Sequence, residues 1–236
     1  MARLEYKYYI PYIHLDQLRR DIIPYLKYDA FALKTPRKEY TVKSVYLDSP
    51  GFITYHEKDM GIRARHKYRI RGYNEESDDS IVFLEIKRKD VDFISKDRAK
   101  LLYRNLDQFI ETKDYSLLAG SNGTADYARN FLYYYHLYQL KPVVVVTYER
   151  EAFECGFGTD LRITFDKNIR TRPAQSCSDI FSDEQMKISL KDYFVLEVKF
   201  STIVPSWVPR VLNKYNVFRD SASKYLMCVN TTFNSN

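Results

Sequence analysis

The sequence has little glycine and little cysteine, and each shortage excludes a class of protein. Seven glycines among 236 residues predict no low-complexity linker, and no glycine-rich Walker A loop is present to cradle a nucleotide. The three cysteines, Cys155, Cys177 and Cys228, form no C-x-x-C pair and are odd in number. They therefore predict neither a disulfide framework nor a zinc site, and they favour a reducing compartment.

Long apolar runs are also missing. The longest aliphatic run, Val143 to Val146, is far too short for a helix that crosses a bilayer. The N-terminus lacks the apolar segment of a signal peptide. The four histidines show no metal-ligand spacing. From these absences we expect a cytoplasmic protein with no membrane segment in this chain.

Aromatic and basic residues are abundant instead. The chain contains 22 tyrosines and 14 phenylalanines, and its net charge is +6. This charge favours a polyanionic partner, whether nucleic acid, an anionic membrane or phosphorylated small molecules. At this length an all-β barrel can be one domain, and we predict a single domain over residues 1–236.

Residues 61–72 carry the strongest pattern in the sequence. Cations alternate there with β-branched, aromatic and small residues, which favours a strand. Successive side chains of a strand point to opposite sides. The pattern therefore places five cations on one face: Arg63, Arg65, Lys67, Arg69 and Arg71.

The same alternation recurs along the chain and defines one charged face. It predicts strands over residues 4–10, 40–47, 61–73, 81–89, 143–154, 161–166 and 193–200. Helical periodicity predicts helices over 14–28, 95–111, 124–140 and 207–216. The polar face of the strands holds Glu5, Lys7, Arg69, Arg71, Glu85, Lys87, Lys89, Arg150, Arg162, Glu197 and Lys199.

The opposite face of these strands is apolar, and helices need an apolar surface to cover. We therefore expect the charged faces to point inward. The predicted fold is α+β, with an antiparallel closed β-barrel of about eight strands and helices packed outside it. Such a barrel would enclose a basic tunnel.

Buried cations of one sign require an anion, because each buried ion carries a desolvation cost of several kcal/mol. Arginine and lysine suit phosphate oxygens, and glutamates among them suit a divalent cation that bridges those oxygens. The alternative is an ordinary solvated sheet face with cross-strand ion pairs. Recurrence favours the inward arrangement, because Glu5/Lys7, Glu85/Lys87 and Glu197/Lys199 repeat in phase. Arg63, Arg65 and Lys67 are left at a mouth or on the surface.

Seven short motifs, in order over nearly the whole chain, carry a family resemblance. They are Glu5-Tyr-Lys7, Tyr68-Arg69-Ile70-Arg71, Phe83-Leu-Glu85-Ile-Lys87, Tyr148-Glu-Arg150, Leu161-Arg162-Ile163-Thr164, Leu196-Glu197-Val-Lys199 and Ser223-Lys224-Tyr225. This set resembles the VTC branch of the triphosphate tunnel metalloenzymes, the CYTH-like superfamily, whose VTC domain is that of polyphosphate polymerases.

The resemblance implies ATP and polyphosphate or triphosphate as substrates, and Mn²⁺ or Mg²⁺ as cofactor. It implies Glu197 as metal ligand, with Glu5 and Glu85 as further candidates. The residues implied to act in catalysis are Arg69, Arg71, Lys87, Arg150 and Lys199. Those implied to bind phosphate are Lys7, Arg69, Arg71, Lys87, Lys89, Tyr148, Arg150, Arg162, Lys199, Ser223 and Lys224.

One departure favours synthesis over hydrolysis. The triphosphatase and cyclase branches open with Glu-x-Glu-x-Lys, whereas Arg3 holds the first position here. The loss of one carboxylate leaves fewer ligands for a metal that activates water. We therefore favour a metal-dependent polyphosphate polymerase that transfers the γ-phosphate of ATP. The alternatives are an inorganic triphosphatase or polyphosphate hydrolase, and a non-catalytic polyanion-binding module.

Nucleic acid is not the expected partner. Grooves for single-stranded nucleic acid interleave aromatic side chains with cations, but Tyr6, Tyr8 and Tyr68 fall on the face opposite the cations, with Tyr148 as the exception. Eukaryotic VTC relatives also carry a phosphate-sensing domain and membrane helices, and we expect neither here. The resemblance therefore implies a membrane or regulatory partner protein.

Overall fold

The computed structural model of the chain describes residues 4–91, 93–119, 123–156 and 158–234. The departure at Arg3 lies outside these ranges. Across them, no helix combines the length and the apolar character that a membrane crossing requires.

The described residues form one large antiparallel sheet and six α-helices, an α+β arrangement. The strands are β1 (Leu4–Pro11), β2 (Leu26–Tyr28), β3 (Tyr40–Asp48), β4 (Ala64–Tyr73), β5 (Ile81–Asp90), β6 (Phe93–Leu102), β7 (Lys141–Cys155), β8 (Arg162–Pro173), β9 (Lys187–Ile188), β10 (Tyr193–Phe200) and β11 (Arg219–Asp220). The helices are α1 (Leu15–Ile22), α2 (Ile53–Asp59), α3 (Leu106–Thr112), α4 (Thr124–Leu137), α5 (Trp207–Asn213) and α6 (Lys224–Phe233).

The strand order is β11-β1-β10-β8-β7-β3-β4-β5-β6, with β2 paired to β7 and β9 paired to β8. In the part of the chain that the structure describes, no hydrogen-bonded ladder joins β6 to β11. The closed barrel predicted from the sequence is therefore not confirmed.

The sheet nevertheless curls strongly. Strands β1 and β5 are separated in the sheet by β10, β8, β7, β3 and β4, yet Lys87 Nζ on β5 lies 3.1 Å from Glu5 Oε2 on β1. The sheet therefore wraps around the face that carries both side chains. We call this the inner face, and the opposite one the outer face.

Helices cover the apolar outer face in two places, as the sequence pattern predicts. Leu106 and Phe109 of α3 and Phe131 of α4 pack on strands β3 to β6. Leu18 of α1 and Val211 of α5 pack on β1, β10, β8 and β7. The charged face is thereby left to line the interior.

The last helix, α6, lies on the inner face instead. Tyr225, Cys228 and Val229 of α6 belong to one buried cluster with Val144 and Tyr148 of β7. This helix was not predicted from the sequence. It fills one part of the interior and leaves its N-terminus beside the charged side chains.

Asp48 at the end of β3 ties α6 to α2. Its Oδ1 accepts hydrogen bonds from the amides of Ser49 at 2.8 Å and Thr54 at 2.9 Å. Its Oδ2 accepts from the Tyr55 amide at 2.9 Å and from the Tyr225 hydroxyl at 2.6 Å. The carboxylate thus satisfies amides at the start of α2, which have no partner within the helix, and holds α6 at the same time.

The helix predicted over residues 95–111 is wrong in its first half. Residues Phe93–Leu102 form β6, which pairs with β5 along its whole length. Ala99 and Leu101 are buried on the outer face, so the segment alternates with a period of two. The helix itself begins only at Leu106.

The helix predicted over residues 14–28 is also too long. It ends at Ile22, because Pro24 follows and a proline cannot supply the amide that continues a helix. Leu26–Tyr28 then pairs with β7 as β2. Tyr193–Phe200 has the predicted bounds.

Candidate functional site: a basic cavity on the inner face

The strand register brings the predicted residues onto one face. Lys7 lies opposite Glu197, and Glu5 lies opposite Lys199. On the other side of β10, Lys199 lies opposite Arg162. Directly paired residues in an antiparallel sheet point to the same side, so these strands share their charged face.

Glu5 is surrounded by lysines. Lys87 Nζ and Lys7 Nζ each lie 3.1 Å from a Glu5 carboxylate oxygen, and Lys199 Nζ lies 4.0 Å away. Burial alone would raise the pKa of Glu5, but Lys87 and Lys7 outweigh it and hold the pKa well below its usual range. Burial lowers the pKa of Lys87 to about 7, although Glu5 opposes this shift.

Glu197 on β10 is the second buried carboxylate. Lys199 Nζ lies 2.7 Å from its Oε2, and Lys224 Nζ lies 2.9 Å from its Oε1. Lys7 Nζ at 3.6 Å and Arg150 Nη2 at 3.7 Å are slightly farther. Burial would raise the pKa of Glu197, but Lys199 and Lys224 lead the cations that hold this pKa well below its usual range.

Asp166 on β8 is a member of the site that the sequence reasoning missed. Its two oxygens accept from Arg150 Nε at 2.6 Å and Nη2 at 2.7 Å, and Lys224 Nζ lies 2.5 Å away. The side chain is fully buried. The sequence pattern could have identified it, because Asp166 is four residues from Arg162 on the same strand and therefore points to the same face.

Glu85 on β5 is held by two arginines. Arg69 Nε donates to its Oε2 at 2.7 Å, and Arg98 Nε donates to its Oε1 at 2.6 Å. Arg98 comes from β6, the segment predicted as a helix, and for that reason it was not selected. Glu85 is fully buried, and both of its oxygens are occupied by guanidinium groups.

Arg71 has a different environment. Its Nε donates to Ser44 Oγ at 3.1 Å, and its Nη2 lies 3.4 Å from the Tyr148 hydroxyl, which also accepts from Arg150 Nη2 at 3.2 Å. Among the described residues no carboxylate lies within ion-pair distance of Arg71. Its buried charge is therefore not neutralised by a direct ion pair.

A cavity of about 290 Å³ opens on the inner face. Its lining contains two carboxylates, Glu5 and Asp220. The cations that line it come from β1, α2, β4, β5 and β11, and they are Lys7, Lys58, Arg65, Lys67, Lys87, Lys89 and Arg219. The excess of positive charge makes this cavity a candidate site for an anionic ligand.

The N-terminus of α6 contributes to the same cavity. Residues 221–223 line it, and Ser223 Oγ accepts from Lys67 Nζ at 2.7 Å and from the Leu226 amide at 3.3 Å. The partial positive charge of a helix N-terminus favours anions. Ser223 and Lys224, chosen from the sequence, thus lie where the helix meets the cations.

The cations that the sequence selected or left open lie in different places. Arg162 does not line the cavity, and neither do Arg69, Arg71, Arg150, Lys199 and Lys224. The Nη2 of Arg162 donates to Asp29 Oδ2 at 2.6 Å. Arg63, left open in the sequence, is exposed and pairs with Asp90 at 3.1 Å. Lys67, also left open, lines the cavity.

The interior therefore combines the two arrangements that the sequence suggested, an inward-facing basic surface and a sheet face with cross-strand ion pairs. Glu5, Glu85, Asp166 and Glu197 compensate most of the inward-pointing cations, as in an ion-paired sheet face. The pairs are nevertheless enclosed, and the cavity lining retains excess positive charge.

The carboxylates of the inner face are the candidate metal ligands. Within the described ranges, no group of three or more His, Cys, Asp or Glu side chains is placed to hold a metal ion. Mg²⁺ sites in phosphate-handling enzymes need only one or two carboxylates, because phosphate oxygens and water complete the coordination. Thr164, directly opposite Glu197, has a buried hydroxyl with no hydrogen-bond partner among the described residues. Glu197 and Thr164 are oxygen donors of the type that such an ion takes, once Lys199 and Lys224 release the carboxylate.

Comparison with known proteins is consistent with this geometry. The sequence model of the VTC domain matches residues 2–233. The chain belongs to the VTC domain family. The family membership expected from the seven motifs is therefore confirmed.

One relative of this VTC domain is the vacuolar transporter chaperone complex subunit 4 of Trypanosoma brucei brucei. The two are 26% identical over an alignment of 283 positions, which covers 98% of this chain and 34% of the relative. The VTC domain described here thus spans about a third of the length of that protein.

One solved structure shares the fold. It is a protein from Hippeastrum described as a putative adenylyl cyclase with a dominant triphosphatase activity. The TM-score is 0.52 and the identity 11%, over 99% of this chain and 97% of that one. At this identity the likeness concerns the fold alone.

Proposed function

We propose that this VTC domain is a metal-dependent polyphosphate polymerase that transfers the γ-phosphate of ATP to a growing polyphosphate chain. The observation that carries the proposal is the basic cavity, which lies on the inner face of a VTC domain. The relative from Trypanosoma brucei brucei, a subunit of a vacuolar transporter chaperone complex, also supports it. The curled sheet would act as the tunnel that holds the chain.

The proposed roles come from the sequence motifs; Lys87 lines the cavity, and the other four cations of the catalytic set lie on the same inner face outside its lining. Arg69, Arg71, Lys87, Arg150 and Lys199 stabilise the charge of the transferring phosphoryl group. The phosphate-binding set adds Lys7, Lys89, Tyr148, Arg162, Ser223 and Lys224. Arg71 is best suited among the arginines, because it has no carboxylate to release before it contacts phosphate.

The reaction needs little covalent help from the protein. A terminal oxygen of the polyphosphate chain attacks the γ-phosphorus of ATP, the bond from that phosphorus to the bridging oxygen breaks, and ADP leaves. The attacking oxygen is already an anion, so no general base is needed. Fixed cations that meet the developing charge are the main source of acceleration in such transfers.

Glu197, together with Glu5, would hold the Mn²⁺ or Mg²⁺ ion. When bound, the metal would neutralise phosphate charge and orient the oxygens of the triphosphate. Glu85 is the weaker candidate, because Arg69 and Arg98 occupy its oxygens. The lysines around Glu5 and Glu197 would exchange these carboxylates for phosphate oxygens.

The setting of the enzyme is part of the proposal. We place the domain in the cytoplasm, with a membrane or regulatory partner protein and without nucleic acid as a ligand. The relative supports the partner, because it is a subunit of a complex.

The test is an assay of the purified protein with ATP and Mn²⁺, with the products separated on a gel. A ladder of long phosphate chains is the expected result. The control omits the metal and should give no ladder.

Other outcomes would contradict the proposal in different ways. Free phosphate without chains would indicate a triphosphatase or polyphosphate hydrolase instead. Intact ATP beside tight binding of polyphosphate would indicate a binding module without catalysis.

A further inference from the structure

Lys67 is one of the cations that line the cavity. It lies on β4 directly opposite Lys87 of β5, and both side chains line the cavity with Lys7 of β1 and Lys58 of α2. Four lysines from four elements therefore surround one space.

Lys67 differs from Lys7 and Lys87 in how its charge is compensated, and resembles Lys58, whose Nζ donates to the Ser221 hydroxyl at 3.0 Å. Lys7 and Lys87 each have a Glu5 oxygen at 3.1 Å. Lys67 Nζ instead donates to the neutral Ser223 hydroxyl at 2.7 Å. Among the described residues no carboxylate lies within ion-pair distance of it.

A half-buried ammonium group that faces other cations and has no carboxylate partner is unfavourable. Burial holds the pKa of Lys67 well below its ordinary value, and Lys7, Lys87, Arg69 and Lys58 add to this effect. A phosphoryl group would supply the missing negative charge. The Ser223 hydroxyl and the N-terminus of α6 would lie beside the same group.

We propose that Lys67 is a phosphate-binding residue, and that it binds a phosphoryl group of the substrate between β4 and the N-terminus of α6. This assignment rests on the proposed function, because it concerns the same cavity. It adds a residue that no sequence motif selected. The ligand chemistry is a linear phosphate chain, bound through its non-bridging oxygens.

The test measures the binding of tripolyphosphate by calorimetry, without nucleotide. Lys67→Met should weaken binding about tenfold or more, the usual loss for one charge-assisted hydrogen bond. Lys67→Arg should restore most of the affinity. Lys141→Met is the matched control, because it removes the same charge from an exposed position at the start of β7, and its affinity should equal that of the wild type.

Thermal unfolding separates binding from a structural role. Without phosphate, Lys67→Met should be at least as stable as the wild type, because it removes an uncompensated cation. With tripolyphosphate, its stabilisation should fall below that of the wild type. Unaltered affinity, or lower stability without any loss of affinity, would overturn the proposal.

Failure of this proposal is distinguishable from failure of the proposed function. Wild-type protein that makes chains, with Lys67→Met binding normally, refutes only the role of Lys67. Lys67-dependent binding without polymerisation refutes only the catalytic function. Wild-type protein that does not bind tripolyphosphate refutes both.

A measurement on the wild type covers the case in which Lys67→Met does not fold. Tripolyphosphate should protect the Lys67 amine from acetylation, as read by peptide mass mapping, while Lys141 remains reactive. Equal acetylation of Lys67 with and without tripolyphosphate would overturn the assignment.

Discussion

At the scale of single residues, the interior works by pairing buried cations with buried carboxylates. Asp166 is an example of one carboxylate that pairs with two cations, because it contacts both Arg150 and Lys224. Charge-assisted contacts of this kind fix the direction of a guanidinium group. Asp166 thus orients two cations that are proposed to meet phosphate, without itself being suited to bind an anion.

Asp166→Asn should impair the enzyme through these two cations. The variant keeps the shape of the side chain but removes its charge, so Arg150 and Lys224 lose a shared partner. We expect kcat/KM for ATP to fall about tenfold or more, with a loss of stability as well. The measurement is steady-state kinetics beside chemical denaturation.

Asp126→Asn is the control for this variant. Asp126 is exposed on α4 and pairs with Arg129, one turn away on the same helix, at 2.7 Å. Its kinetics should match the wild type. Wild-type kinetics in Asp166→Asn would show that Asp166 has no positioning role.

The sequence allowed most of the charged residues to be selected, for a physical reason. A strand has a period of two, so once one cation is assigned to the inner face, its neighbours at even spacing follow. Arg98 was missed because its segment was predicted as a helix. Lys67 was left open because the pattern does not show where along a strand the cavity lies.

At the scale of elements, strands were easier to predict than helices. Residues 193–200 alternate clearly, and β10 has those bounds. In β6 the leucines fit the period of a helix as well as that of a strand. The segment forms a strand because pairing with the edge of β5 satisfies the backbone hydrogen bonds of both strands. Such a long-range choice is not visible in local sequence.

Helix α6 was also missed, and its place depends on a distant carboxylate. Asp48 accepts a hydrogen bond from the Tyr225 hydroxyl, which lies 177 residues away in the sequence. Burial raises the pKa of Tyr225, and Asp48 raises it further, so the hydroxyl remains a donor. The position of Ser223 and Lys224 follows from that contact.

Tyr225→Phe should therefore loosen α6. The variant leaves the buried Asp48 carboxylate with one donor fewer, and we expect the free energy of unfolding to fall by about 1–2 kcal/mol. Urea denaturation measures this change. Tyr133→Phe, at an exposed position of α4, should have no effect, and equal stability of the two variants would contradict the role of the Asp48 contact.

At the scale of the whole molecule, the fold inverts the usual arrangement of a one-sided sheet. Helices α1, α3, α4 and α5 cover the apolar face, so the charged face curls around a cavity. This inversion was predictable from the sequence, because the apolar faces needed cover. Closure of the sheet was not predictable, because hydrogen bonding between the two ends of a curled sheet depends on its curvature.

The central claim is that the cations of the inner face bind and transfer phosphate. Replacement of both Arg69 and Arg71 by alanine tests it most directly. The fold should survive, because Glu85 keeps Arg98 as a partner and Arg71 has no carboxylate partner among the described residues. Arg104→Ala with Arg129→Ala is the matched control, because both positions are exposed.

The decisive measurement is the gel assay of these two double variants with ATP and Mn²⁺, after circular dichroism has shown that both are folded. The account predicts no phosphate chains from Arg69→Ala with Arg71→Ala, and a wild-type ladder from the control. A wild-type ladder from folded Arg69→Ala with Arg71→Ala would contradict it.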